Sequence, residues 1–92
     1  MAKITVMFFT TLRKKLGVSK LMLEGETVKD LIEALREYKK PDVDEILINS
    51  EGNVNQHFVL TLNSEILDNR KLDTVKIKEN DILNIFPPVS GG

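Results

Sequence analysis

One stretch of this sequence carries a clean helical period, and it dictates what the remainder must do. Val28, Leu31, Ile32, Leu35 and Tyr38 recur at i, i+3, i+4, i+7 and i+10, an apolar stripe along one helix face. Lys29, Glu33, Arg36 and Glu37 take the other side. Thr27 stands three residues before Asp30, a Thr-x-x-Asp start with an acid in the first turn. Pro41 ends the run just after Lys39-Lys40. A striped helix must bury its stripe against another layer. The rest of the chain offers strands.

Ile4 to Phe9 reads as a first strand, β-branched and aromatic throughout. Thr10 to Gly17 is a short connection with one helical turn, closed by a turn glycine. Val18 to Glu24 is a second strand, with Leu21 and Leu23 alternating against Lys20, Met22 and Glu24, so the pair is expected to form an antiparallel hairpin. After the helix, residues 41–56 stay open: Glu45 to Ile48 reads either as a short strand or as a helical turn, and Asn49 to Asn53 is a turn cluster. His57 to Leu62 is a strand, and Glu65-Ile66-Leu67 a short edge strand. Asp68 to Lys78 is an irregular crossing with a turn near Leu72 to Val75. Glu79-Asn80-Asp81 turns the chain into a last strand, Ile82 to Phe86, and Asn80 suits a left-handed turn position. A hairpin, one crossing helix and a closing strand beside the first make an α+β, β-grasp architecture. The expected sheet is mixed and four- to five-stranded, under one main helix.

Alternation separates the two sheet faces. Ile4, Val6, Phe8, Leu21, Leu23, Phe58, Leu60, Leu62, Leu83 and Ile85 fall on the helix side, an almost wholly apolar set. Thr5, Met7, Phe9, Val59, Thr61, Ile82, Asn84 and Phe86 fall on the other. That second face mixes large apolar groups with polar ones and has no helix to cover it, which suits a partner surface.

The last strand runs directly into Pro87-Pro88-Val89-Ser90-Gly91-Gly92. The two prolines lack a backbone N–H, so they end strand pairing and stiffen the exit. Gly91 and Gly92 have no Cβ and fit a narrow cleft. The expected division is a domain over residues 1–86 and a flexible tail over 87–92, whose one reactive group is the terminal carboxylate. Such a body reads as a carrier that another enzyme handles by its tail.

Composition removes competing classes. The 13 basic and 14 acidic residues give a formal net charge of −1, so no nucleic-acid partner is expected. No apolar run is long enough to span a bilayer, and the start resembles a strand rather than a signal peptide, so a cytoplasmic protein is expected. With no cysteine, thiolate nucleophiles, disulfides and zinc–thiolate sites are excluded. His57 is the single histidine, Asp42 and Asp44 lack the company of a metal site, and Arg13-Lys14-Lys15 reads as a solvated loop. The metal expectation is none, and the chain does not read as an enzyme by itself.

Three stretches together resemble the MoaD/ThiS-type sulfur-carrier family, nearest to the small subunit of molybdopterin synthase. They are Ile4 to Arg13 with Gly17, whose Phe8-Phe9-Thr10-Thr11-Leu12-Arg13 is similar to the family's Phe-Phe-x-x-Leu-Arg turn; Leu62-Asn63-Ser64-Glu65-Ile66; and Asn80 to Gly92. The resemblance implies a ubiquitin-like fold and no bound cofactor. It implies that a ubiquitin-activating-type adenylating enzyme (MoeB-like) uses ATP to activate Gly92, which sulfur then converts to a thiocarboxylate. It further implies delivery of that sulfur to the large synthase subunit (MoaE-like) in a heterotetramer. Phe9, Ile66, Phe86, Pro87, Pro88, Val89 and Ser90 fall at partner-binding positions, and Gly91 and Gly92 at the reacting end. Residues 41–56 are longer than in short members, as in long-form archaeal relatives, and Asn80 stands where glycine is common. Relatives with the same tail also serve thiamin synthesis, tRNA thiolation and attachment to lysines, so those uses stand as alternatives beside an inert interaction module.

Overall fold

The computed structural model describes residues 2–88; Met1 and residues 89–92 lie outside the described residues. Strand β1 (Ala2–Phe8) leads through helix α1 (Thr10–Leu16) into β2 (Lys20–Gly25). Helix α2 (Val28–Tyr38) and helix α3 (Asp42–Leu47) follow, then β3 (Val59–Leu62), β4 (Glu65–Ile66), a 3-10 turn at Leu72–Thr74, and β5 (Ile82–Phe86). The sheet order is β2-β1-β5-β3-β4. β1 pairs antiparallel with β2 and parallel with β5, and β5 pairs antiparallel with β3. The closing strand therefore lies at the centre beside the first, as the topology predicted.

Helix α2 begins as its sequence directs. The Thr27 hydroxyl accepts from the Asp30 N–H at 3.3 Å, while the Asp30 carboxylate accepts from the N–H groups of Thr27 at 3.1 Å and Glu26 at 2.9 Å. This reciprocal cap satisfies donors that a helix start leaves open. The same backbone donors, Glu26 first, hold the Asp30 carboxyl below its ordinary range. Gly25 makes the approach possible, because a Cβ there would stand 2.6 Å from that of Asp30.

Val28, Leu31, Ile32 and Leu35 are buried, and Tyr38 is not: it is 57% exposed. Tyr38 points about 70° away from the centre of that stripe, counting 3.6 residues per turn, and it is the helix's last residue. Its ring instead carries Lys39 Nζ at 5.9 Å from the centroid.

Two connections hold more structure than expected. The first is a helix of two turns, α1, with Leu12 and Leu16 buried one turn apart. Gly17 caps it at φ 73°, donating its N–H to the Arg13 carbonyl at 2.9 Å, and Arg13, Lys14 and Lys15 crowd its negative end. The second settles the open segment as helix α3, with Val43 and Leu47 buried and Asp42, Asp44 and Glu45 in its first turn. Arg36 ties α3 to α2, reaching Asp44 at 2.6 Å and Glu33 at 3.1 Å. The turn cluster closes through an Ile48–Val54 bridge, with Asn49 Oδ1 accepting from the N–H groups of Glu51 and Asn53.

Strand bounds also shift. β2 starts at Lys20 rather than Val18, and β3 starts at Val59 rather than His57. Buried Asn69 fixes the segment before β3, donating Nδ2 to the carbonyls of Asn55 at 3.0 Å and Phe58 at 2.8 Å. Phe58 is thereby held in the core as an anchor just outside the ladder.

Candidate functional site: the uncovered sheet face and the base of the tail

Period-2 alternation puts one side of the sheet under the helices and leaves the other bare. Ile4, Val6, Phe8, Leu60, Leu83 and Ile85 are fully buried, as expected; Leu21, Leu23 and Leu62, assigned to the same face, are packed against that core but only partly covered. On the opposite side the register brings three rows together. Met22, Thr5 and Ile82 stand side by side; then Lys20, Met7, Asn84, Thr61 and Ile66; then Phe86 and Val59. Met22 is 58% exposed and Ile66 77%, with Val59 and Ile82 also exposed. Burial of these groups by a second surface would release ordered water, which is the usual meaning of such a patch.

Phe9 joins the third row. Because β1 and β5 run parallel with Phe8 opposite Ile85, the next residues, Phe9 and Phe86, meet. Their rings stack with centroids 4.5 Å apart and planes 14° off parallel. Thr10, directly after Phe9, has φ 49°, a left-handed conformation that a β-branched residue takes only at a cost of roughly 1–3 kcal/mol. The strained turn sits where the chain swings from the stack into α1.

The polar members of the face are tied down. Asn84 Nδ2 donates to Thr61 Oγ1 at 3.1 Å. Asn63, at φ 58°, accepts from the Ile82 N–H on Oδ1 at 3.0 Å and donates Nδ2 to Asp81 at 3.2 Å. Its own N–H goes to the Ile82 carbonyl at 2.7 Å. Asn63 thus turns β3 into β4 and clamps the start of β5, a role that sequence alone marked only as a strand-ending asparagine. Asn80 has the expected left-handed φ, 73°.

The expected docking residues divide into places rather than one cluster. Phe9 and Phe86 stack at one end of the face, whereas Ile66 stands on the short edge strand β4. Pro87 and Pro88 leave the face and line a groove against α1 and α3. Val89, Ser90, Gly91 and Gly92 lie outside the described residues. His57 is exposed and its N–H donates to Asn55 Oδ1; Arg13, Lys14 and Lys15 are exposed, now on a helix rather than a loop. Among the described residues no cluster of three metal-ligating side chains occurs, and no helix is long and apolar enough to cross a membrane.

The family model described as the ThiS family matches residues 6–92. The chain belongs to the ThiS family, whose members are ubiquitin-like sulfur carriers. A search of curated proteins finds no match. Among solved structures, the chain is similar to small archaeal modifier protein 1 from Methanosarcina acetivorans, at 27% identity and a TM-score of 0.80, covering 100% of this chain and 98% of that one. It is also similar to a putative molybdopterin converting factor subunit 1 from Pyrococcus furiosus, at 22% identity and a TM-score of 0.73, covering 97% and 100%. The Amycolatopsis orientalis BexX/CysO complex contains a third similar chain, at 23% identity and a TM-score of 0.74, covering 97% and 99%. These likenesses make the fold of this ThiS member the ubiquitin-like β-grasp.

Proposed function

We propose that this chain is a sulfur carrier whose Gly92 carboxylate is adenylated and then thiocarboxylated, and that it serves as the small subunit of a molybdopterin synthase. The observation that carries the reading is the Phe9–Phe86 stack on an uncovered sheet face, with Phe86 directly before the first residue of a tail ending Gly91-Gly92. One partner surface can grip that face while its cleft takes the tail. A carboxylate resists attack because its leaving group would be oxide. Transfer of adenylate from ATP, with loss of pyrophosphate, gives a mixed anhydride. Sulfide attacks the acyl carbon, AMP departs with the electron pair, and a thiocarboxylate remains. Glycine suits the reacting end because no side chain blocks either attack.

The adenylating partner is proposed to be of the ubiquitin-activating type, and the sulfur acceptor to be a pterin precursor held by the large synthase subunit. A second reading, attachment to lysines of other proteins, is favoured by the likeness to small archaeal modifier protein 1. Both share the adenylation and part afterwards.

The test is an intact-mass measurement after incubation with ATP, an adenylating enzyme and sulfide. The expected product has one oxygen replaced by sulfur and is absent when Gly92 is deleted. An unchanged mass beside an adenylating enzyme proven active on its own substrate would overturn the carrier reading. Addition of the large synthase subunit and a pterin precursor then consumes the thiocarboxylate, whereas the modifier reading predicts Gly-Gly remnants on lysines of other proteins.

A further inference from the structure

The sheet order leaves two strands with a single neighbour, β4 at one side and β2 at the other. β4 is 2 residues long, a short edge that offers another strand little to pair with. β2 offers 6, Lys20 to Gly25. Phe8 donates its N–H to the Ser19 carbonyl at 3.0 Å, and in an antiparallel register this direction repeats at every second residue. Leu21, Leu23 and Gly25 therefore turn their backbone groups towards β1. Lys20, Met22 and Glu24 turn theirs outwards, where no backbone partner meets them among the described residues.

The side chains along this rim are equally unengaged. Leu21 and Leu23 sit at the margin of the core and are only partly covered. Lys20 and Glu24 are exposed on the open face and enter none of the ion pairs among the described residues. Between them, the Thr5 hydroxyl donates to Met22 Sδ at 3.3 Å, so the Met22 side chain leans over β1 rather than across the rim.

The order of these residues is self-complementary. Met22 has a leucine next to it on each side and, one position further out, a lysine on one side and a glutamate on the other. When a second β2 lies antiparallel with Met22 opposite Met22, Leu21 faces Leu23 and Lys20 faces Glu24, each twice by the two-fold symmetry. The outward groups of Lys20, Met22 and Glu24 then complete a hydrogen-bonded ladder. A slip of one residue sets outward groups against inward ones, and a slip of two sets Lys20 or Glu24 against Met22. Glu24 already stands opposite Lys3 on β1, so the joined row alternates in sign through Lys20, Glu24 and Lys3.

We propose that β2 is a self-association edge, pairing antiparallel with β2 of a second copy of this chain about Met22. The pairing is independent of the tail chemistry set out above. It joins the two open faces on one side of a continuous sheet. The two β5 strands then lie five strand spacings apart, about 24 Å, and run in opposite directions, so their Phe86 ends point away from each other. A ladder this short belongs at the small end of specific interfaces, and a dissociation constant on the order of 100 µM is expected.

Sedimentation velocity on the full chain, from micromolar to millimolar concentration, tests this, with amide chemical shifts to locate the contact. A monomer–dimer equilibrium is expected, and the shifts that move with concentration should centre on Lys20, Met22 and Glu24. K20E and E24K each set like charges opposite one another twice and should weaken the dimer about tenfold. Mixing the two variants should restore pairing between unlike chains, and K20E with E24K in one chain should restore self-pairing. A chain that stays monomeric at millimolar concentration overturns the proposal and leaves the edge to a strand of another protein. A dimer whose moving shifts lie at Val59, Ile66 and Phe86 overturns it in favour of open-face association. A dimer that K20E and E24K leave unchanged, singly and mixed, overturns it as well.

Discussion

The two faces of one sheet are built from the same strands, yet they answer to different demands. On the covered face, Ile4, Val6, Phe8, Leu60, Leu83 and Ile85 meet α1 and α2 and are shut off from water. One residue along each strand, Thr5, Met7, Val59, Thr61, Ile82, Asn84 and Phe86 form a face in which apolar groups stand open and polar ones are cross-linked, as Asn84 is to Thr61. The covered face supplies folding energy through area removed from water. The open face leaves that energy unspent until another surface arrives. Stability and recognition are therefore divided by side-chain parity, and single substitutions should tell the two apart.

The largest effect is expected from Phe8→Ala, which empties a fully buried site and should cost about 3–5 kcal/mol in denaturant unfolding, a large part of a small domain's margin. Phe86→Ala should separate the faces most sharply. The lost stack with Phe9 costs stability only about 0.5–1.5 kcal/mol, while affinity for the adenylating partner, followed by calorimetry, should fall roughly 30-fold. Equal losses in both measurements would mean that the open face is structural. Thr27→Ala removes the α2 cap and should cost about 1 kcal/mol, with no change in partner affinity. Smallest is the pH response of Asp30. Its carboxyl lies below the ordinary value when folded, so its contribution is present above the unfolded value and fades as pH falls through the lowered one. Asp30→Asn should flatten the stability–pH curve in that acid window and lower it by a constant amount near neutrality, where the contribution is fully present.

The division between faces was legible because a strand's period is fixed and needs no knowledge of its partners. The stripe and cap of α2, the edge strand at Ile66 and the left-handed Asn80 were readable for the same reason: each is written within a few neighbouring residues. What escaped depends on contacts between distant segments. Helices α1 and α3 show only two buried residues each, Leu12 with Leu16 and Val43 with Leu47, too few to establish a period. The positive φ of Thr10 contradicts its β-branched side chain and is imposed by its surroundings. The Phe9–Phe86 pairing follows from a parallel register between the first and last strands, which no local pattern encodes. Asn63 was visible as a turn residue, but its clamp on Ile82 belongs to the folded sheet.

The position of β5 has a mechanical side. Pro87 and Pro88 continue a strand hydrogen-bonded on both flanks, to β1 and to β3. A protein that draws the tail into a cleft pulls along this strand, so the load falls on two ladders in shear at once rather than on one edge peeled bond by bond. The neighbours run in opposite directions, and the pull is shared between the first strand and the β3–β4 hairpin at the far side of the sheet. The domain can accordingly be held by its end under tension while its body stays folded. A machine that unfolds proteins from the terminus would meet its greatest resistance at the first strand it reached.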